Sequence, residues 1–263
     1  MLADNIINEL AHKVVSAQDG AHTMEKLTIA YPEMEMADSY RVQDALRNIW
    51  IARGEKVVGL KAGLTSKAKM EQMGVHEPSF GILTSRMAVP ENGIVKMTEL
   101  VHPRVEAEIA FVMERELRGT HHSINDIIQA TDFVIPAVEI IDSRYEKFKF
   151  DLVSVIADNG SSSRYVTGGK PRDPKQGMDL QTIGVVIEKN GEIVALGASA
   201  AVLGHPVKAI QMLLEHLDAR GESLPAGSIV LTGGITEAIA VEVGDSINAR
   251  FQDLGSITIK FGE

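Results

Sequence analysis

The 263-residue chain contains no cysteine, which excludes disulfides, thiolate metal ligands and cysteine nucleophiles together. That absence suits a reducing cytoplasm. No stretch approaches the roughly 18 consecutive apolar residues of a membrane span. The opening segment MLADNIINELAHKVV places acidic residues early and breaks any apolar core, so no signal peptide is expected. Lys and Arg nowhere cluster and the formal net charge is −10, which argues against a nucleic-acid backbone as partner. A local positive site or a metal ion could still override that field for a small anion. The eight histidines show no metal spacing: His121-His122 sits in a polar loop, and His102 before Pro103 leads into a strand. The expectation is a soluble, cytoplasmic protein with neither a membrane nor a nucleic acid as partner.

What is present is ordinary for a globular protein, with 44% hydrophobic and 24% charged residues and enough length for one large domain, alone or with a small appendage. The first part reads helical. ADNIINELAHKVVSA spaces Ile6, Ile7, Leu10, Val14 and Val15 at helical period, and ADSYRVQDALRNIWIARGE runs from a cap at Asp38 or Ser39 to a stop at Gly54. YPEMEM between them reads as a turn. From Lys56 short apolar segments and turns take over: KVVGLKAGLT as a strand breaking at small residues, SKAKMEQMG as a short helix closed by Gly74, HSINDIIQATDF as another short helix, and FVIPAVEIID as a strand. GVVIEKNGEIVALG is a hairpin pattern with Asn190-Gly191 as a type I′ turn. HPVKAIQMLLEHLDARGE is a helix with Pro206 in its first turn and Gly221 past its end. AGSIVLTGG, AIAVEV and SINARFQDLGSITIKF complete the strands, the last pair bending near Gly255. There is no internal repeat and no regular βαβ alternation, so the expected class is α+β: an antiparallel-rich mixed sheet with a helical N-terminal portion.

The segment HPRVEAEIAF (102–111) carries two glutamates two residues apart in an apolar run. Side chains alternate along a strand, so Glu106 and Glu108 share one face while Val105, Ala107, Ile109 and Phe111 share the other. Two like charges so close repel unless water or a cation intervenes. The pair therefore marks either a half-exposed strand with a wet face or two ligands of a hard metal ion. Glu139 in FVIPAVEIID shares its face with Ile135, Ala137 and Ile141, where a bare charge is costly to bury. Either a Lys or Arg partner elsewhere answers it, or it joins Glu106 and Glu108 as a Mg²⁺ or Mn²⁺ site of oxygen ligands. Lys61 stands where a strand ends at small residues, either pointing into a cleft or capping the strand at the surface. The segment DSRYEKFKFDLVSVIADNGSSS gathers Asp142, Arg144, Lys149, Asp151, Asp158, Asn159 and Ser161 among aromatics, as a substrate-recognising wall or an exposed loop. LTGGIT (231–236) ends a strand in two glycines after Thr232, a turn whose N–H groups could approach an anion or a plain tight turn.

Taken together and in order, GLKAGLTSKAKMEQMGV, HPRVEAEIAF, VIPAVEIIDSRYEKFKFDLVSVIADN, GASAAVLGHP and LTGGIT resemble the hydratase/decarboxylase branch of the fumarylacetoacetate hydrolase superfamily, over nearly the whole chain. The resemblance implies a mixed β-roll catalytic core, expected over residues 81–263, with a smaller N-terminal α/β portion over 1–80. It implies Glu106, Glu108 and Glu139 as ligands of Mg²⁺, with Mn²⁺ as a substitute, and Lys61 facing the active site. It further implies substrate contacts at Leu64, Thr65, Asp142, Asn159, Ser161 and Thr232. The carbon–carbon hydrolases of the superfamily use a His and a Glu on the short helix before M-G, and SKAKMEQMG has no histidine, which speaks against hydrolysis. The implied activity is metal-dependent decarboxylation of 2-oxo-3-hexenedioate in the meta-cleavage degradation of aromatic compounds, favoured by RYEKFKFDL and LTGGIT. The alternatives are hydration of 2-hydroxypenta-2,4-dienoate and a non-catalytic partner role. A homo-oligomer, a small dicarboxylate 2-oxo acid substrate and a complex with the cognate vinylpyruvate hydratase are the implied partners.

Overall fold

The computed structural model describes residues 1–66, 70–71 and 78–263. The helix expected in SKAKMEQMG falls largely outside them. Two sheets form the body. The larger is built from β1 (Val57–Gly63), β2 (Ser79–Thr84), β4 (Pro103–Met113), β5 (Thr131–Asp142), β6 (Ser162–Thr167) and β9 (Ile229–Leu231), in the order β2-β1-β9-β4-β5-β6, with β10 (Ile239–Ala240) paired to β4. The smaller, in the order β3-β12-β11-β7-β8, comprises β3 (Ile94–Lys96), β7 (Gly184–Lys189), β8 (Glu192–Ala198), β11 (Ser246–Phe251) and β12 (Gly255–Gly262). Most pairings are antiparallel; β1–β9 and β3–β12 are parallel. The expected mixed, antiparallel-rich α+β class is what forms.

The large sheet is buried on both faces, and the alternation of β4 and β5 decides what each face meets. Val105, Ala107, Ile109 and Phe111, with Val134, Val138 and Ile140, pack against the small sheet and the helix α6 (Val207–Ala219). Ala110, Ala137 and Leu231 face the opposite way, toward α1 (Asp4–Asp19) and α3 (Met36–Ala52). YPEMEM holds its expected turn at Pro32 and Glu33, while the one-turn helix α2 (Leu27–Ala30) just before it was not foreshadowed; further α-helices among the described residues are α4 (Ile124–Gln129) and α5 (Leu152–Ala157). Val42 and Leu46 of α3 are fully buried, contributing about 1.5–3 kcal/mol each. Helix α3 begins two residues before the expected caps because Asp38 acts inside its first turn: its carboxylate accepts the Glu35 backbone N–H, while Glu35 caps in return. The β7–β8 hairpin turns at Asn190 and Gly191 with φ of 55° and 88°, the pair of positive values a type I′ turn requires.

Candidate metal centre

The antiparallel register of β4 and β5 sets Glu106 directly across from Glu139, with Glu108 opposite Ala137. All three side chains share the helix-side face, and one oxygen of each lies within 4.8 Å of the others. The wet-strand reading fails: Glu106 is 7% exposed and both Glu108 and Glu139 are fully buried. The surface reading of Lys61 fails too, since it is 3% exposed. Its Nζ lies 3.1 Å from Oε2 of Glu139 and donates to the Gly160 carbonyl at 3.1 Å. The lysine partner of Glu139 thus stands inside a glutamate cluster that could hold a metal ion.

Backbone without side chains makes room for this packing. Gly81 faces Lys61 across the β1–β2 ladder, and a Cβ there would stand 3.0 Å from the Lys61 stem and 2.8 Å from the Asn159 carbonyl. The Gly-Gly turn after β9 does bring an N–H to an anion, but the anion is the protein's own: Gly233 N donates to Oε2 of Glu108 at 2.6 Å. Gly233 has φ of 104° and Thr65 lies where its Cβ would be, so only glycine fits. A Cβ on Gly234 would come within 2.9 Å of the Glu106 carboxylate.

The electrostatics call for a cation. Burial, and then the Glu139 charge, push the Glu108 carboxyl well above its ordinary value. Burial alone would lower Lys61, yet the facing charges of Glu139, Glu108 and Glu106 outweigh it and raise its value. Oε1 of Glu108 and Oε1 of Glu139 are buried with no hydrogen-bond donor, an expensive state for carboxylate oxygens. When all are ionised the three carboxylates and Lys61 carry two negative charges between them. A hard divalent ion with oxygen preference meets both needs, so the residues fit Mg²⁺ or Mn²⁺.

A cavity of about 670 Å³ opens from this cluster. Lys61, Leu64, Glu106 and Ser161 line it; Leu64 and Ser161 have left-handed backbones, φ 57° and 58°, and the Ser161 hydroxyl has no partner. The other expected contacts stand behind the wall. Asp142 accepts the backbone N–H groups of Val101 and His102, and Asn159 clamps β2 by donating to the Ile82 carbonyl and accepting its N–H. Thr232 donates to the Ile109 carbonyl, and Thr65 packs under Gly233. Arg144 is likewise structural: Nε donates to Asp158 at 2.7 Å in a buried pair, and burial lifts the Asp158 carboxyl to about 6 against the pull of Arg144. Sequence reasoning passed over Arg104, which lines the cavity one same-face row from Glu106 with its guanidinium 4.4 Å from the Phe148 ring centroid. The signal was available, since Arg104 shares the period-2 face of Glu106 and Glu108.

The sequence model of the fumarylacetoacetate (FAA) hydrolase C-terminal family matches residues 56–261. A 4-oxalocrotonate decarboxylase of Pseudomonas putida is 53% identical over 96% of this chain and 95% of its own. A 2-keto-4-pentenoate hydratase of Paraburkholderia phymatum is 36% identical over the full length of both. A solved 4-oxalocrotonate decarboxylase from Pseudomonas putida, complexed with magnesium and adipate, superposes with a TM-score of 0.97 at 49% identity over 99% of both chains. No helix among the described residues is long and apolar enough to cross a membrane. With residues 56–261 matched by the family model and nearly its whole length by relatives at 36–53% identity, this chain belongs to the fumarylacetoacetate hydrolase family.

Proposed function

We propose that the protein is a Mg²⁺-dependent decarboxylase that converts 2-oxo-3-hexenedioate (4-oxalocrotonate) to 2-hydroxypenta-2,4-dienoate and CO₂. The observation that carries this reading is the buried cluster of Glu106, Glu108 and Glu139 with Lys61 inside it, opening on a cavity sized for a small dicarboxylate. The high identity to decarboxylases over the whole chain supports the choice of reaction.

The substrate carries its own electron sink. Its leaving carboxylate is conjugated through a double bond to the 2-keto group, so loss of CO₂ sends an electron pair toward the keto oxygen. The three glutamates would hold Mg²⁺, which when bound supplies Lewis acidity toward a 2-oxo acid. The Lys61 ammonium, fixed by Glu139 and the Gly160 carbonyl, stands ready as a hydrogen-bond donor to the oxygen that gains charge. Its raised proton affinity keeps it cationic, so once CO₂ has left it can give a proton to the oxygen that gained the charge and be reprotonated from solvent. Ser161, with an unpartnered hydroxyl at the wall, donates to the substrate, while the Leu64 backbone turn shapes the pocket beside it. Asp142, Asn159, Thr65 and Thr232 act through the backbone they pin rather than by touch. The product is the substrate class of the related hydratases, so a complex with a cognate vinylpyruvate hydratase belongs to the same proposal.

The test is CO₂ release from 2-oxo-3-hexenedioate with and without Mg²⁺, with water addition to 2-hydroxypenta-2,4-dienoate followed in parallel. Mg²⁺-dependent CO₂ release without hydration is the expected result. Hydration alone would move the protein to the hydratase side of the family.

A further inference from the structure

Building on that decarboxylase reading, we propose that Arg104, held under the Phe148 ring, is the anchor for the substrate's second carboxylate and so makes the site selective for dicarboxylates.

The ladder register supplies the distance. Arg104 pairs with Ile141 and Glu106 with Glu139, in consecutive same-face rows of β4 and β5, and such rows are about 6.7 Å apart along a strand. An extended six-carbon chain of ordinary single bonds spans about 6 Å between its terminal carbons. A dicarboxylate whose 2-oxo acid end lies at the glutamate row therefore puts its other carboxylate at the Arg104 row. Chain length and row spacing match.

The chemistry of Arg104 fits an incoming carboxylate. It is half-buried on the cavity wall, and among the described residues no carboxylate pairs with it. It lies over the Phe148 ring, with its guanidinium carbon 4.4 Å from the ring centroid. Stacking occupies the flat face of a guanidinium and leaves the in-plane N–H donors for a two-point grip on a carboxylate. The platform is itself buttressed, because Phe148 lies 5.6 Å from Phe150. Lys147 and Phe148 both adopt left-handed backbones, φ 55° and 58°, an uncommon conformation for side-chain-bearing residues. That bend of the loop sets the ring against Arg104. Lys149 lines the same cavity but is exposed, where solvent screens its charge.

This role belongs to binding rather than to bond breaking. The gripped carboxylate loses its charge as it becomes CO₂, so a cation on it stabilises the bound substrate more than the transition state. Arg104 therefore governs KM and ligand choice. The apolar side chains of Ile141, Phe150 and Val155, which line the same cavity, suit the uncharged CO₂ and the vinyl end it leaves behind.

Two unreactive ligands test this, 2-oxohexanedioate and 2-oxohexanoate, which differ only in the distal carboxylate. Their binding to wild type, Arg104→Met, Arg104→Lys and Lys149→Met is measured by calorimetry in excess Mg²⁺. Wild type is expected to prefer the dicarboxylate by about 10- to 100-fold, the worth of hydrogen bonds to a charged group. In Arg104→Met that preference collapses toward one while 2-oxohexanoate affinity stays within about twofold of wild type, since nothing it touches has changed. Arg104→Lys keeps part of it, and Lys149→Met keeps all of it. Undiminished preference in Arg104→Met, or its loss in Lys149→Met, overturns the assignment while leaving the decarboxylase reading intact. Failure of wild type to bind either 2-oxo acid with Mg²⁺ overturns both.

Discussion

The Gly234→Ala variant isolates the metal site from the fold. Gly234 is not in the left-handed region, so alanine is allowed by its backbone. Its Cβ would stand 2.9 Å from both Cδ and Oε2 of Glu106 and 3.2 Å from Oε1, about 0.5 Å inside ordinary contact. The obstacle is the far end of a flexible side chain, so the carboxylate swings aside and the sheet is left undisturbed. A metal ligand tolerates only about 0.2 Å of displacement, and disturbing the support of a ligand lowers metal affinity about 10- to 100-fold. At saturating Mg²⁺ that removes about 1.4–2.8 kcal/mol of metal-dependent stabilisation, or roughly 3–11 °C of the Mg²⁺-induced rise in Tm. Calorimetry in EDTA and then across a Mg²⁺ series reads this directly. The neighbouring Gly233→Ala is the contrast: with φ of 104° and Thr65 Oγ1 in the way, it lowers Tm even in EDTA. A Mg²⁺-induced rise in Gly234→Ala within about 1 °C of wild type, with unchanged Tm in EDTA, would refute Glu106 as a ligand.

Lys61→Met should retain Mg²⁺ binding and lose at least about 100-fold in kcat, the scale of a positioned proton-transfer or charge-stabilising group; turnover within a factor of two of wild type would remove Lys61 from the chemistry. The same variant, measured in EDTA, should be destabilised by about 3–5 kcal/mol, because it leaves the buried Glu139 without its cation, and Mg²⁺ should recover most of that loss. A pH series supplies a further test. The Glu108 carboxyl is raised in the folded state above its ordinary 4.5, so the native protein holds a proton that the unfolded chain has released. Metal-free stability therefore falls as pH rises from 4.5 through the folded value. Asp158, raised from 3.8 to about 6, adds a slope of the same sign over its own window. In Glu108→Gln the first component should vanish, and in wild type Mg²⁺ should stabilise more at pH 8 than at pH 5 because it needs the deprotonated carboxylates; a Mg²⁺ effect independent of pH would contradict the burial argument.

Much of the site was legible because a strand has a period of two. E-x-E announces a shared face wherever the strand runs, and Glu139 among Ile135, Ala137 and Ile141 announced a buried charge. The sequence could not say that Glu106 would sit across from Glu139, since register depends on the turns and packing of both strands. Nor could it show that Lys61 answers Glu139, because that contact spans β1 and β5, two strands that are not neighbours in the sheet. Asp142 and Asn159 looked like substrate contacts because polar residues concentrate there. Backbone N–H and carbonyl groups at the strand ends compete for such side chains, and in this loop they win. Arg104 shares the face of Glu106 and Glu108 and could have been read with them; what no local pattern shows is its aromatic platform, which comes from a loop more than forty residues later. The N-terminal helices and the β7–β8 hairpin followed their local patterns closely, with α2 as the exception, being a single turn too short to carry a period.

Strand β9 has only three residues, yet it lies between β1, which carries Lys61, and β4, which carries Glu106 and Glu108. A ribosome making this chain N-terminus first would deliver both outer strands well before their spacer. At about 5–20 residues per second the wait between Glu108 and Leu231 is on the order of ten seconds. Throughout it the nascent chain would hold strand edges with no neighbour and carboxylates whose lysine cannot yet be placed. A product truncated before Ile229 would keep all three glutamates and the lysine in its sequence, and still lack the three-residue spacer that brings them into one sheet.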